Sequence, residues 1–130
     1  MENNKKTYNA VVINSSKNLS GKEKVALKNF ADMVELDNAT QETDLGVIID
    51  IDYVATVHVY NEKSDTTEYD KFVYVDKDGT MYISGSESLY RQYESIAEDM
   101  EDEEEPWSIK VIRKDSKNYK GKQFLTCVLV

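Results

Sequence analysis

An alternating run at residues 45–60 constrains the fold of this 130-residue chain more than any other feature. Odd positions from 47 to 59 are almost all apolar, whereas even positions include Asp50, Asp52 and His58. Because side chains alternate between the two faces of a strand, the pattern predicts one long strand with a buried face and a solvated face. A slip of one residue would reverse every side chain, so we expect the odd positions to point inward along the whole strand.

Local signals predict the other elements. Strands are expected at residues 7–13, 68–76, 80–84, 109–114 and 123–130, with an Asp-Gly turn at 76–79. Two helices are expected, each starting at a capping box in which Ser is followed three residues later by Glu. The first begins at Ser20 and Glu23 and continues to residues 37–40, and the second begins at Ser84 and Glu87 and ends near Met100.

From residue 45 onward the order is strand, strand, strand, helix, strand, strand. That order is typical of the OB-fold, a five-stranded Greek-key barrel that binds oligonucleotides. We therefore predict an α+β fold, mostly antiparallel β, with an OB-like five-stranded barrel at residues 45–130 and an N-terminal strand-helix extension at residues 1–40. The chain 1–130 is expected to form a single domain, whose extension packs on the barrel or associates with another subunit. The alternative is a generic antiparallel α+β sheet with one packed helix.

Charge is sorted along the chain. Residues 1–30 carry six Lys and two acids, residues 31–105 carry four bases and 22 acids, and residues 106–130 carry six bases and one acid. The net charge of −9 by itself disfavours an anionic partner. A local basic patch nevertheless binds phosphate in an acidic protein, since fields are screened beyond about 10 Å at ordinary salt. The basic C-terminal segment is therefore a candidate contact for nucleic acid.

The outward face of the predicted sheet combines aromatic rings with ammonium groups. Single-stranded nucleic acid binds such faces because bases stack on rings while Lys and Arg track phosphates. The basic loop at residues 115–122 would border the same groove. The candidate nucleic-acid-binding residues are Lys110, Arg113, Lys114, Lys117, Tyr119, Lys120, Lys122, Tyr60, Phe72, Tyr74 and Tyr82. The competing roles are cross-strand packing for the rings and protection against aggregation for the lysines.

The sequence offers little for catalysis. Its single His, His58, and its single Cys, Cys127, are separated by most of the predicted barrel, and no third group orients them as a nucleophile and base. Glycine-rich phosphate loops and zinc-ligand spacings are absent from the sequence. We predict no enzyme activity, no catalytic residue, no metal site and no cofactor.

Cysteine usage and hydropathy indicate the compartment. A lone Cys excludes an internal disulfide and favours a reducing environment. Residues 1–7 are polar and unlike a signal peptide, and no apolar run approaches the roughly 18 residues of a membrane span. The expected location is the cytoplasm, without a membrane partner, and the sequence is compatible with an oligomer.

Residues 114–127, KDSKNYKGKQFLTC, resemble the closing segment of small single-stranded-DNA-binding proteins encoded by phages of Gram-positive bacteria. The resemblance extends loosely back through Trp107, the helix start at 84–89 and the strand from Leu45. It implies coating of displaced single strands during phage DNA replication in the host cytoplasm. It also implies contacts from Lys117, Tyr119, Lys120 and Lys122.

The acidic run at residues 98–105 departs from that resemblance. Bacterial relatives usually place an acidic tip at the very end as a hook for partner proteins, whereas this run is internal and the chain ends in Val128-Leu129-Val130. The run could bind a replication protein, or it could be a solvated helix end. It also supports a rival function, an acidic DNA mimic or protein-binding inhibitor of a host or defence nuclease, because spaced carboxylates present a phosphate-like field.

Overall fold

The computed structural model describes residues 8–63 and 67–130 and shows an α+β protein with mostly antiparallel strands. Thr7, the first residue of the predicted N-terminal strand, lies outside this range. No helix in these two ranges is long and apolar enough to cross a membrane. The elements are β1 (Tyr8–Ser15), α1 (Gly21–Ala26), a 3₁₀ turn (Phe30–Asp32), β2 (Val34–Glu35), α2 (Leu36–Gln41), β3 (Val47–Asn61), β4 (Glu68–Asp76), β5 (Met81–Ser84), α3 (Glu87–Asp99), β6 (Ser108–Asp115) and β7 (Gln123–Leu129).

The strands form one curled sheet in the order β2-β5-β4-β3-β6-β7, with β1 also paired to β3. The start of β3, Val47 to Asp50, pairs with β6, whereas the rest of β3 pairs with β4 and β1. Among the described strands, β1, β2 and β7 each pair on one side only, and the sheet curls into a half-barrel without closing. The order is consistent with the OB-like prediction, with seven strands instead of five.

The long strand changes its buried face part-way. A β-bulge interrupts the pairing of β3 with β4 between Ile51 and Tyr53. One extra residue shifts the alternation of side chains by one position. Ile49 and Val54 consequently lie in the same core although one position is odd and the other even, while Tyr53 lies in a second core on the opposite face. The prediction that odd positions share one face along the whole strand is wrong beyond the bulge.

The first core lies inside the half-barrel, where α3 packs along β7. Leu89 and Tyr93 form the buried stripe of α3 and contact the inward side chains of β6 and β7. The helix begins at Ser86, whose Oγ accepts a hydrogen bond from Leu89 N at 3.2 Å. The predicted cap at Ser84 is wrong, because Ser84 is the last residue of β5 and accepts from Ser86 N at 3.0 Å.

The second core lies on the outer face of β3, β4 and β5, which the N-terminal segment covers. Leu27, fully buried, and Met33 pack there against apolar side chains such as Val57, Val73 and Ile83. Both faces of the central strands are therefore buried, one by α3 and one by the N-terminal segment.

The single N-terminal helix predicted from Ser20 to residues 37–40 is wrong beyond its first turns. Its capping box is present, since Ser20 Oγ accepts from Glu23 N at 3.1 Å and Glu23 Oε1 accepts from Ser20 N at 2.9 Å. The helical path ends near Asn29, which has φ −91° and ψ 72° and whose side chain donates to Asp32 at 2.7 Å. Such local hydrogen bonds compete with helix. The chain then pairs β2 in parallel with β5 before α2 begins.

Gly46 allows β3 to approach β6 closely. Its φ is +82°, and an added Cβ would lie 2.8 Å from the carbonyl oxygen of Val111. Only glycine combines a left-handed backbone with such an approach at low cost.

Candidate functional site

The outer face of the β3–β6–β7 region mixes lysines with exposed apolar side chains. Across the strands Ile48 lies opposite Lys110, and Lys110 lies opposite Val128. Further along, Lys114 lies opposite Phe124. Ile48 is 56% exposed, Phe124 38% and Val128 39%. We call these five residues the basic sheet face.

Strand alternation fixes the direction of this face. Ile109 and Val111 on β6, and Leu125 and Cys127 on β7, point inward and are buried under α3. Their neighbours on the same strands, including both lysines, therefore point to the other side of the sheet. The exposed carboxylates of α3 and the lysines of β6 lie on opposite sides of one sheet.

The basic loop, residues 115–122, joins β6 to β7 at one end of this face. It is closed by a hydrogen bond from Ser116 N to the Lys122 carbonyl at 2.9 Å. Inside it Lys122 N donates to the Tyr119 carbonyl at 3.1 Å, and Gly121 has φ +78°. A positive φ at the third position of such a turn is the usual role of glycine. The loop therefore has a defined tip that carries Tyr119, 68% exposed.

The lysines of the face and loop keep their charges available. Lys114, Lys117, Lys120 and Lys122 are exposed and Lys110 is half-buried. None of the salt bridges among the described residues involves them. The loop's single acid, Asp115, instead accepts a hydrogen bond from Gln123 Nε2 at 3.1 Å. This arrangement leaves five ammonium groups facing solvent within one stretch of 13 residues.

Arg113 does not share that surface. Its side chain is 17% exposed, and one guanidinium nitrogen donates to the carboxylate of Asp37 at 2.9 Å and to the Asp37 carbonyl at 3.1 Å. It links α2 to β6. The prediction that Arg113 lies on the nucleic-acid-binding surface with the lysines is therefore wrong, because its guanidinium is already paired with Asp37.

The outward orientation predicted for Phe72 and Tyr74 is wrong. Phe72 is 5% exposed and stacks on Tyr90 of α3, with ring centroids 4.2 Å apart. Tyr74 is fully buried and meets Tyr93 edge to face at 5.8 Å. Burial raises the pKa of Tyr74 far above that of a free tyrosine. Rings held in a core have no face for a base, so neither belongs to the candidate surface.

Tyr82 and Tyr60 lie away from the lysines. Tyr82 is half-buried opposite Tyr74 and packs on the first core. Tyr60 is half-buried, and its hydroxyl donates to Glu62 at 3.0 Å, which raises the pKa of Tyr60. Acidic surroundings suit a phosphate poorly.

His58 lies on the same stretch of β3 between two carboxylates of β4. Its Nε2 is 3.0 Å from Glu68 Oε1 and its Nδ1 is 2.8 Å from Asp70 Oδ1. The hydrogen bonds to Glu68 and then to Asp70 raise the pKa of His58. The imidazole is thereby held in its charged form to higher pH.

The structure brings together Lys110, Lys114, Lys117, Tyr119, Lys120 and Lys122, and separates Arg113, Tyr60, Phe72, Tyr74 and Tyr82 from them. Sequence reasoning missed Phe124, Ile48 and Val128. The alternation of residues 123–130 contained the signal, since Leu125 and Cys127 are the inward positions and place Phe124 and Val128 outward.

Neither a scan against family models nor searches of curated proteins and solved structures found a match for this chain.

Proposed function

We propose that this protein binds single-stranded DNA without sequence preference, through the basic sheet face and the basic loop. The observation that carries the proposal is a cluster of five lysines around two exposed rings, Phe124 and Tyr119, in which no lysine forms a salt bridge with a residue that the structure describes. Ammonium groups supply phosphate contacts that tolerate any sequence, and every base has a face that stacks on a ring.

We interpret β3, β4, β5, α3, β6 and β7 as an OB-like barrel. Ligands of that fold usually bind on the face of its second and third strands and on two flanking loops. In this chain the N-terminal segment covers the outer face of the corresponding strands, β4 and β5. The loop between the last two strands stays exposed, and it is the basic loop. The site accordingly centres on β6, β7 and that loop.

Charge separation supports the same site. The chain is acidic overall, with a net charge of −9. The exposed Glu94 and Glu98 of α3 lie on the far side of the sheet from the lysines, so their repulsion of a bound phosphate is weakened by distance and salt. A role in phage DNA replication is supported only by the resemblance of residues 114–127.

A charge-reversal experiment tests the lysines. Lys117→Glu with Lys120→Glu is expected to weaken binding of fluorescent oligo-dT at low salt by more than about tenfold, because two phosphate contacts become repulsions. The matched control, Lys22→Glu with Lys28→Glu, reverses two exposed charges on the N-terminal segment. Equal affinity of the two variants would reject the site, and preference for duplex over oligo-dT would reject single-strand binding.

A second experiment tests the rings. Phe124→Ala and Tyr119→Ala should each cost about 1–3 kcal/mol of binding free energy if the rings stack on bases. Tyr119 is 68% exposed, so its replacement should leave the unfolding free energy nearly unchanged. Unaltered oligonucleotide affinity in both variants would reduce the interaction to phosphate contacts alone.

The acidic side of the molecule favours a second candidate function. Exposed carboxylates continue from α3 through residues 101–105 and present a strongly negative surface. A mimic of DNA that occupies a nuclease groove would use this surface instead of the lysines. It would bind no oligonucleotide, so the oligo-dT titration separates the two functions.

A further inference from the structure

A groove with an aromatic floor and an acidic rim runs between α3 and the edge formed by β1 and β3. Its volume is about 580 Å³. The floor includes Ile51, Tyr90, Tyr93 and Trp107, and the rim carries Glu94, Glu98, Glu101 and Glu103. We call it the α3 groove.

The four rim glutamates carry negative charge that no salt bridge within residues 8–63 and 67–130 neutralises, although Arg91, which pairs with Glu87, lies near Glu94. No Lys or Arg of the described chain lines the α3 groove. Asp52, at one end of the groove, differs from the four glutamates because Lys17 lies close to it. Lys17 forms a salt bridge with Glu23 at 2.8 Å. The hydrogen bond to Glu23, and then the negative charges of Glu23 and Asp52, raise the pKa of Lys17. The four glutamates form salt bridges with no residue of the described ranges. An occupant with an apolar or aromatic centre and flanking cations would complement this groove.

The basic loop of the same chain has that composition. Its tip presents the exposed ring of Tyr119 between Lys117 and Lys120. The turn closed by Gly121 and the Ser116–Lys122 hydrogen bond holds these three side chains on one hairpin end. A pre-formed tip loses less conformational entropy on docking than a flexible segment.

One molecule is not able to place its own tip in its own groove. Trp107 of the groove immediately precedes β6, and the basic loop follows the end of that strand. The eight residues of β6 separate the two sites by about 25 Å at 3.3 Å per residue. The contact must therefore join two copies.

We propose that the basic loop of one copy docks in the α3 groove of a second copy, with Tyr119 on the aromatic floor and the flanking lysines against the glutamates. The pair then keeps one free loop, on one copy, and one free groove, on the other. Such a head-to-tail contact is heterologous and extends into open chains or rings instead of stopping at a symmetric dimer. The contact uses the same loop as the proposed DNA binding and would compete with it, but its test requires only the protein.

Complementary charge variants test the contact by sedimentation velocity without nucleic acid. The wild type is expected to show a mass that rises with concentration beyond that of a dimer at about 0.1 M salt, and a monomer at about 1 M, where charges are screened within about 3 Å. Lys117→Glu with Lys120→Glu, the loop variant, reverses two positive charges of the loop. Glu98→Lys with Glu101→Lys, the groove variant, reverses two negative charges of the groove. Each variant alone should associate at least about tenfold more weakly.

Mixing the two variants gives the most specific result. The groove variant supplies an intact loop and the loop variant supplies an intact groove, so an equimolar mixture should recover association in complexes that contain both variants. The reversed loop and the reversed groove are also of opposite charge, so these mixed complexes extend beyond a heterodimer. Glu42→Lys with Asp44→Lys makes the same charge change away from the groove and should associate like the wild type. A wild type that stays monomeric up to millimolar concentration overturns the proposal, even if its groove binds oligolysine. A dimer that persists in both variants, or a mixture without complexes that contain both variants, also overturns it.

Discussion

The salt dependence of oligonucleotide binding gives the sharpest test of the lysine cluster. Five lysines, at positions 110, 114, 117, 120 and 122, face solvent without a salt bridge in the part of the chain that the structure describes. For single strands, log K falls with log salt with a slope of about −0.7 per neutralised phosphate. If each lysine contacts one phosphate, the slope is about −3.5, and affinity falls about 130-fold between about 50 and about 200 mM salt.

Neutralising two loop lysines should change this slope by a defined amount. Lys117→Gln with Lys120→Gln leaves three contacts, so the slope becomes about −2.1 and the same salt change costs about 18-fold. Fluorescence anisotropy of labelled oligo-dT at four salt concentrations measures both slopes. Lys22→Gln with Lys28→Gln, on α1 and just after it, should keep the wild-type slope. A slope that is identical in wild type and loop variant would refute the assignment of these lysines to phosphate.

Three further predictions concern the fold. Tyr74→Phe should leave the unfolding free energy unchanged or raise it by about 1 kcal/mol, since the buried hydroxyl has no hydrogen-bond partner within residues 8–63 and 67–130. A clearly lower unfolding free energy in urea denaturation would show that the hydroxyl does form a hydrogen bond. The pKa of His58 is raised in the folded state, so its contribution to stability is complete below its unfolded value of about 6.5 and is lost as pH rises through the folded pKa. The difference in unfolding free energy between wild type and His58→Gln should therefore be larger at about pH 5.5 than at about pH 8.5. An equal difference at both pH values would contradict the pairing of His58 with Glu68 and Asp70. Gly46→Ala and Gly121→Ala should both introduce a backbone strain of about 1–2 kcal/mol, because both glycines have a positive φ. Only at Gly46 does the added Cβ also clash with neighbouring atoms, so Gly46→Ala should lower the unfolding free energy in urea clearly more than Gly121→Ala. Equal losses of unfolding free energy would exclude the clash.

Periodicity, together with turn and capping signals, predicted most of the strands and the helix α3, although not its first residue. The alternation at 45–60 located β3, and the Asp-Gly turn located the β4–β5 hairpin. The bulge between Ile51 and Tyr53 has no comparable signal, because no Gly or Pro marks it and both neighbours suit a strand. One inserted residue therefore reversed the predicted face of the second half of β3.

The burial of Phe72 and Tyr74 did have a signal in the sequence. Phe72-Val73-Tyr74-Val75 is a continuous apolar run, which is typical of a strand covered on both faces and not of a half-solvated one. The two covers are α3 and the N-terminal segment. By contrast, Arg113 pairs with Asp37, 76 residues earlier in the chain, and no local pattern indicates that contact.

Along β6 the local pattern was sufficient to predict which side chains point outward. Lys110 and Lys114 alternate with Ile109 and Val111, so the register that buries the two apolar residues under α3 also turns the two lysines outward. A slip of one residue would bury ammonium groups without partners at a cost no core of this size tolerates. The fold therefore fixes the direction of the strand lysines, whereas the side chains of the loop lysines are exposed and form no salt bridge with the described residues. Substitutions at Lys117 and Lys120 should consequently separate binding from stability more cleanly than substitutions on β6.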